Sequence, residues 1–561
     1  MLTGYPSIDR PWLKYYSEEA INAPLPEGTA YEYLLEKNKT ALNDTALIYF
    51  NRKISYGKLF EYIDRSAAAF SFLGIKRGDV VALALPNIPE NIYCMYGLNK
   101  LGTIADMIDL RSKGDTLLHY LKESEATVAV VCTLFAENIF EILPHTKIKK
   151  LIVVSPFDSL YVPLKVLMKA RAKKLDMPHC AMDWKAFMKL SDKRVASSGK
   201  TDDVACIFHT SGTTDMPKGV MMSNGAFNAM AVHIKGSGLK FNYGEIMMNQ
   251  VPPFLAYNSL CATHMPLALH MKIIMLPEYR PDKFAFNIIK LKPNCAIAGP
   301  ADWNNFLEKS ALPDKPFDLS YLVSLISGSD AMTQKSKDAV NAFVKEHGCK
   351  EVVLEGYGMT EIGSAACANM PQHNIDISVG IPLPFNNFCI YDNENDQELP
   401  YGESGEICMS GPTVMKGYYK MPEETANVLR KHKDGTLWLH SGDLGRINED
   451  GNIYLEGRLK RIIIRHDGIK VSPFSLEKTI MKHKNVSACC VVGQFDEKHQ
   501  MGQVPIAFIV LNEYDETTVA EVKQLCEQEQ SEKYLPHSYK VLESLPLTSN
   551  GKVDYRALEK Q

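Results

Sequence analysis

The chain has no C-x-x-C pair; its 13 cysteines stand singly apart from Cys489 and Cys490. That spacing argues against a zinc site or a disulfide framework and suits a reducing compartment. No uninterrupted apolar run approaches the length of a membrane span. Excess charge of either sign is missing too: 62 Lys and Arg against 66 Asp and Glu leave a formal charge of −4 and a pI near 6.4. The overall balance therefore makes no electrostatic case for a nucleic-acid partner. The start of the chain, MLTGYPSIDRPWLKYYSEEA, lacks the basic and apolar regions of a signal peptide. No repeat or low-complexity block interrupts the sequence. A soluble, cytoplasmic protein is the expectation.

What is present is ordinary globular material in a chain too long for one core. At 561 residues, 45% hydrophobic and 23% charged, it should divide into two or more domains. Residues up to Thr45 mix aromatic, charged and proline-rich pieces and read as a surface arm. From Ala46 short apolar runs alternate with amphipathic segments. Residues 56–73 set Leu59, Tyr62, Ile63 and Ala67 on one helical face, and 89–101 read as another helix. Buried strands are predicted at 80–85, 126–132, 246–253, 272–276, 296–299 and 322–327, with a more antiparallel region at 405–409 and 452–455. Strands alternating with helices indicate parallel sheets covered on both faces. Between 155 and 200 the chain turns polar and basic. Leu164, Leu167 and Met168 share a helical face there, with Lys165, Lys169 and Arg171 around it. Such a segment suits a membrane surface, but it is more often a surface helix packed on its own domain; the latter is expected, and membrane contact is the weaker alternative.

Character changes again near Gly457, Arg458, Leu459 and Lys460. The stretch beyond, about a hundred residues, is long enough to fold alone. It reads as a strand at 461–465, a helix from Pro473, strands at 488–492 and 504–511, and a helix at 516–529 with Val519, Val522, Leu525 and Cys526 as its buried stripe. The predicted class is α/β: a large N-terminal domain, residues 1–459, of layered α/β sheets with a small β-barrel-like region, plus a small, mobile α+β C-terminal domain, residues 460–561.

Four polar clusters interrupt the apolar runs. In the first, the strand-like residues 204–208 stop at Thr210, Ser211, Gly212, Thr213 and Thr214, and Pro217 and Lys218 come next. Glycine lets backbone N–H groups turn to one side, hydroxyls add donors and lysine a full charge, the parts of a phosphate cradle; a polar surface hairpin has the same composition. The second is Glu355, Gly356, Tyr357, Gly358, Met359, Thr360 and Glu361 after an apolar run. Glycines flanking a tyrosine permit close approach of a flat ring, and Thr360 and Glu361 suit phosphate and magnesium, although a tight turn with a packed tyrosine is as compatible. The third is His440, Ser441, Gly442 and Asp443, where an acid beyond a strand suits ribose hydroxyls or a helix cap. The fourth, residues 546–552, ends in Asn550, Gly551 and Lys552, a lysine after a turn.

Taken in order, and joined by Gly457 to Lys460 and the run GESGEICMSGPTVMKGYYKMPEET at 402–425, these clusters resemble the adenylate-forming superfamily: acyl- and aryl-CoA synthetases, luciferases and the adenylation domains of peptide synthetases. The similarity runs from Ile54 to Leu558. The resemblance implies that a carboxylate is joined to the α-phosphate of ATP with loss of pyrophosphate, and that in many members the acyl group then passes to a thiol. An anion meets a polyanion in the first step, so neutralisation and positioning should dominate catalysis. By resemblance, Thr210 to Thr214 and Lys218 hold the β- and γ-phosphates. Gly328, Ser329 and Asp330 border the adenine, and Tyr357 stacks on it. Thr360 meets the α-phosphate region and Glu361 holds Mg2+. Asp443 and Arg458 match ribose-binding positions, Lys460 the hinge, and Gly468 the passage for the pantetheine of CoA. Lys552 matches the lysine that reaches the carboxylate and α-phosphate. Lys552 and the phosphate loop fall in different predicted domains, so the site is expected to close for the first step and reopen for the second.

Two departures from the family pattern matter. Asp215 stands where glycine is usual; aspartate tolerates a left-handed backbone, and its side chain is expected to point outward. The pocket segment reads Pro252, Pro253, Phe254, Leu255, Ala256, Tyr257, with no acid between Asn249 and His264. A buried ammonium without a counter-charge is costly, so an amino-acid substrate is disfavoured, and Phe254, Leu255, Tyr257 and Trp303 suggest an apolar acyl or aryl tail, although each suits a core equally. No carrier-protein segment follows Lys552, so a free-standing enzyme with CoA as acceptor is expected. The alternatives are an enzyme that loads a separate carrier protein and a non-catalytic nucleotide-binding relative.

Overall fold

Apolar runs too short for helices, each ended by small or polar residues, form two mainly parallel sheets. The structure, a computed structural model, describes residues 2–171, 175–210, 217–546 and 553–561. The chain forms two compact units: one of Arg10–Asn387 with Met409–Leu439, the other of Met1–Asp9, Phe388–Cys408 and His440–Gln561. The fold is mixed α/β, with a large N-terminal part of layered sheets and a smaller C-terminal part. Among the described residues no helix is long and apolar enough to cross a membrane.

The first unit holds both large sheets. A seven-stranded sheet runs Ala181–Asp183, Lys150–Val154, Val128–Cys132, Val80–Ala84, Ile104–Met107, Val204–Thr210 and Lys218–Ser223. All its pairs are parallel except the last, a hairpin. The helices Tyr56–Phe72 and Pro89–Lys100 belong to this unit, and the latter is buried along its whole length. In a nine-stranded sheet, Cys295–Ala298, Ser324–Ser327 and Val353–Tyr357 lie side by side and parallel. Ala298 pairs with Ser327 and Ser327 with Glu355. The residues that come after these pairs, Gly299, Gly328 and Gly356 onward, therefore emerge at one edge, outside the carboxyl ends of parallel strands where open α/β sheets bind ligands.

Two expectations are corrected in this unit. The N-terminal stretch is not a surface arm. Trp12 and Leu34 are fully buried and Tyr31 nearly so, the Tyr16 hydroxyl donates to Pro382 O at 2.7 Å, and the helix Ala30–Asn38 starts from a capping box of Thr29 and Glu32. Aromatic residues spaced among charges looked like surface, but each fully buried large side chain contributes about 1.5–3 kcal/mol. The basic segment is a helix, Val162–Arg171, yet of the apolar face expected to pack on the domain Leu164 and Leu167 are exposed, as is Val166 beside them, and only Met168 is half-buried.

The region expected to be barrel-like is a six-stranded sheet, most of whose residues belong to the other unit, in which Leu437–Ile447 pairs antiparallel with Ile453–Arg458. Beyond it, Val486–Phe495, Gln503–Leu511 and Ser538–Leu542 form a three-stranded sheet. The helices Pro473–Ile480 and Glu516–Glu529 bury Leu476, Ile480, Val522 and Cys526 together with Val491, Ala507 and Ile509 of this sheet. On alternate strand positions Cys490, Val492 and Phe508 pack with Leu558 of Tyr555–Glu559, the period-two alternation of a sheet covered on both sides. The strand predicted at 461–465 is only Ile463–Ile464, in a hairpin with Lys470–Val471.

Candidate active site

The hairpin of Val204–Thr210 and Lys218–Ser223 sets Thr210 directly opposite Lys218. Ser211, Gly212, Thr213, Thr214 and Asp215 lie outside the described residues. A third extended segment lies along the hairpin: Lys416 N donates to Met221 O, Met221 N to Gly417 O and Tyr419 N to Gly219 O, at 2.7–3.0 Å. This brings Tyr418 under the lysine. The Lys218 ammonium lies 5.1 Å from the centre of the Tyr418 ring and 2.7 Å from Glu424 Oε2. The Tyr418 hydroxyl donates to Glu361 Oε1 at 2.9 Å; burial and the Glu361 charge both push its pKa up. Met415 N donates to Glu361 O at 2.8 Å. Thr360 and Glu361 occupy a short 3-10 turn after the strand Val353–Tyr357. The result is one ammonium, one hydroxyl-bearing strand end and two carboxylates, the buried Glu361 and the half-exposed Glu424, around one patch. Glu361, a shielded hard oxygen donor held by Tyr418, fits Mg2+, which is commonly bound through one or two carboxylates plus substrate phosphates.

Below the strand end, His209 Nε2 lies 2.6 Å from Asp106 Oδ1, both side chains buried, with the Tyr120 ring 4.2 Å from the imidazole. This pair fixes the last turn-facing residues of the strand from beneath.

The adenine-facing candidates line the sheet edge. Gly328 follows the strand Ser324–Ser327, and a Cβ there would sit 3.2 Å from the Tyr257 hydroxyl. That hydroxyl is shielded from water and has no hydrogen-bond partner among the described residues. Ser329 has φ +71, and Asp330 accepts from Ala331 N at 2.8 Å and is exposed. Gly358 cannot carry a side chain: its Cβ would lie inside contact distance of Ser364 O and of the Ala365 backbone. Tyr357 and Gly356 pair with Cys367 and Ala368. Glu355 lies 3.2 Å from the buried Lys337 ammonium. Burial raises its carboxyl above the ordinary value although Lys337 opposes the shift.

Of the acyl-pocket candidates, Phe254 is buried with the Arg111 guanidinium 5.1 Å from its ring centre, while Leu255 and Tyr257 are half-buried. Tyr257 opens a π-helical stretch, Tyr257–His264, a conformation frequent at functional sites. Trp303 departs from the expectation. It lies in the hydrophobic core with Phe284 and Phe306, and its indole N–H donates to Ile326 O at 3.1 Å, so it is left out of the pocket. Next to it in sequence, Asp302 is buried and holds Gly299 N and Gln250 Nε2, each at 2.8 Å. Burial pushes its carboxyl up to about 6.

In the other unit, Asp443 and Arg458 face each other across two strands, with Arg458 Nε 2.8 Å from Asp443 Oδ1. The turn that presents Asp443 is tied down from below. Glu406 accepts from Gly442 N at 2.8 Å and faces His440 Nδ1 at 2.7 Å; Ser441 Oγ donates to Ile407 O at 2.6 Å and accepts from Asp443 N at 3.0 Å. Gly442 has φ +72, which a side chain would disfavour. Lys460 sits in the 3-10 turn Leu459–Arg461, and Gly468, φ +79, turns the hairpin after it. Lys552 lies outside the described residues.

The supporting residues Asp106, His209, Tyr418, Glu424 and Glu406 were not singled out by sequence reading. Tyr418, Glu424 and Glu406 lie in the 402–425 run that carried the resemblance, so a signal for them existed; nothing marked Asp106, which sits mid-strand among apolar residues.

Comparison with known proteins gives a consistent result. The family model described as AMP-binding enzyme matches residues 35–419, and that of the AMP-binding enzyme C-terminal domain matches residues 475–552. A long-chain-fatty-acid–CoA ligase of Bacillus subtilis (strain 168) is 28% identical, over 98% of this chain and 97% of its own length. A 4-coumarate–CoA ligase 1 of Petroselinum crispum is 28% identical, over 87% and 85%. Among solved structures, the anthranilate CoA ligase AuaEII in complex with anthranoyl-AMP superposes with a TM-score of 0.80 at 21% identity, covering 96% of this chain and 98% of that one; at that identity the likeness speaks for the fold alone.

Proposed function

Because the chain belongs to the AMP-binding enzyme family, we propose that it is an AMP-forming carboxylate–CoA ligase whose substrate acid is apolar, fatty or aryl. The observation that carries the reading is the convergence of Lys218, Tyr418 and Glu361 on the mouth of the Thr210–Lys218 hairpin. In the first half-reaction a substrate carboxylate oxygen bonds to the α-phosphorus of ATP, the bond to the bridging oxygen breaks, and pyrophosphate leaves. Thr210 and Lys218 neutralise and orient the departing phosphates, and Lys552 supplies a charge where the α-phosphate and carboxylate meet. Glu361 would hold Mg2+, which would further neutralise the phosphate oxygens when bound. Asp443 and Arg458 grip the ribose, and Gly328 to Asp330 with Tyr357 the adenine. In the second half-reaction the thiol sulfur of CoA bonds to the acyl carbon, AMP leaves with the bonding electrons, and the thiol proton passes to solvent. We further propose the division at residues 459 and 460, with Lys460 as hinge and Gly468 along the CoA path.

Three features support an apolar acid. Phe254, Leu255 and Tyr257 offer ring and aliphatic surface. No acid stands between Asn249 and His264. The buried Asp302 is already engaged, accepting from Gly299 N and Gln250 Nε2. Relatives named for long-chain fatty acids and for 4-coumarate fit this range. The test is pyrophosphate release with a panel of fatty, aryl and amino acids, with and without CoA. Release with apolar acids and consumption of CoA is expected. Release with amino acids alone would sink the substrate class, and adenylate that accumulates despite CoA would point to carrier loading.

A further inference from the structure

The helix Val162–Arg171 carries an apolar surface that no described residue of its own unit covers. Val162 is 73% exposed, Val166 64% and Leu167 47%, and Tyr161, Pro163 and Leu164 beside them are exposed as well. No other stretch of seven described residues shows so many large exposed apolar side chains. Scattered exposed hydrophobics are normal on a protein surface, but a contiguous group of this kind marks an interaction site. The helix is anchored at its base, where the Lys165 ammonium donates to Asp158 O at 2.7 Å and lies 3.4 Å from Asp158 Oδ1. The exposed residues are therefore held on a formed helix.

The charge pattern says what covers this surface. Residues 165–174 read KVLMKARAKK, five basic residues and no acidic one, in a chain whose formal charge is −4. A protein groove would have to match apolar and basic groups over a ten-residue helix; a bilayer surface with anionic headgroups offers both along its whole area. Valine, leucine and tyrosine beside lysine and arginine is the composition of helices that lie in the interface plane, aliphatic residues toward the acyl boundary and cations at headgroup level. We propose that Val162–Arg171 is a peripheral docking helix for anionic phospholipid bilayers, and that the enzyme works at such a surface. The proposal rests on the exposed helix and holds whichever acid the active site takes.

Flotation of the full-length protein with lipid vesicles tests it. Vesicles of phosphatidylcholine are compared with vesicles carrying about a quarter phosphatidylserine, at about 0.1 M and about 0.5 M NaCl. The expected result is binding to the anionic vesicles, at least about tenfold weaker binding to neutral ones, and release at the higher salt. The triple variant Val162→Ser, Val166→Ser, Leu167→Ser should bind the anionic vesicles about tenfold more weakly, with an unchanged thermal midpoint, because exposed side chains contribute little to stability. Absence of wild-type binding overturns the proposal, as does equal binding to both vesicle types or equal binding by the variant. Concentration-dependent self-association that the triple substitution abolishes, without vesicle binding, assigns the surface to a second copy instead and also overturns it.

Discussion

Replacing Glu406 by alanine offers a sharp test of how Asp443, proposed here to bind the ribose, is presented. Glu406 touches none of the proposed substrates. Its carboxylate accepts from Gly442 N at 2.8 Å and from Asn393 Nδ2 at 2.8 Å, and faces His440 Nδ1 at 2.7 Å. Burial alone would raise its pKa, yet hydrogen bonds from His440 and Asn393, the His440 charge and the Gly442 N–H together hold it below the ordinary 4.5. In Glu406→Ala the exposed Asn393 turns to water, but Gly442 N and His440 lose a shielded acceptor. His440 Nδ1 keeps the Cys408 Sγ contact at 3.4 Å, so the acceptor lost by Gly442 N sets the scale, about 1–3 kcal/mol. Asp443, one residue beyond Gly442, then leaves its position opposite Arg458. A hydrogen bond to a charged group contributes about 1.5–3 kcal/mol, so the KM for ATP should rise about ten- to a hundredfold, with the KM for the acid changed far less. Glu406→Gln, which keeps one acceptor for Gly442 N, should fall between. The sign of the pH dependence comes from the same shift. A carboxyl with a depressed folded pKa stabilises the fold above its unfolded value, near 4.5, and that stabilisation disappears as pH falls through the lower folded value. Wild type should therefore lose part of its stability below about pH 4.5 that Glu406→Ala no longer has to lose. Pyrophosphate exchange at varied ATP and acid, with thermal unfolding at several pH values, measures both. An unchanged KM for ATP in Glu406→Ala would refute the idea that this carboxylate sets the turn.

Three further outcomes are expected. Lys552→Ala should cripple adenylate formation by at least about a hundredfold while sparing thioester formation from supplied acyl-adenylate; equal loss in both half-reactions, measured separately, would count against its assigned place. Gly358→Ala puts a Cβ onto Ser364 O, so it should cost about 1–3 kcal/mol by displacing backbone next to Tyr357, read as a lower unfolding midpoint and weaker ATP binding; a variant of wild-type stability would contradict the contact. Asp215→Gly should leave ATP affinity within about tenfold of wild type, and a larger gain would mean that the aspartate repels the triphosphate.

Much of this was legible in the chain because the chemistry is concentrated where strands end. Apolar runs such as 80–85 and 126–132 predict buried parallel strands on length alone, and the polar clusters after residues 208 and 354 are where such strands must meet water. The parallel register does the rest: once Ala298, Ser327 and Glu355 lie side by side, residues far apart in sequence reach one edge. What could not be read were partnerships fixed only by three-dimensional neighbours. Asp106 is a charged residue in an apolar strand until His209 is placed 2.6 Å away on the adjacent strand. Trp303 looked like pocket lining because an indole suits either setting, and only the hydrogen bond to Ile326 O distinguishes core from cavity. The N-terminal residues failed for the same reason: periodicity reports which side of an element is apolar, and not whether another element arrives to cover it.

Coverage by a neighbouring element governs the substrate pocket too. Chain-length selection in an apolar pocket is set by where the pocket is stopped, and each added methylene is worth only about 0.8 kcal/mol of burial. In the pocket proposed here, Phe254 and Tyr257 would serve as walls and leave the floor unassigned. Tyr257 is the more informative of the two, since its hydroxyl lies beside Gly328 without a partner among the described residues. An unpaired buried hydroxyl costs about 1–3 kcal/mol, a penalty that an acid carrying a hydrogen-bonding group at that depth would remove and a plain fatty chain would not. Tyr257→Phe separates the two kinds of acid. It should leave kcat/KM for a saturated fatty acid equal or higher, and lower it about fivefold or more for a hydroxylated aryl acid. A parallel loss for both acids would show that Tyr257 serves the adenylate itself and takes no part in choosing the acid.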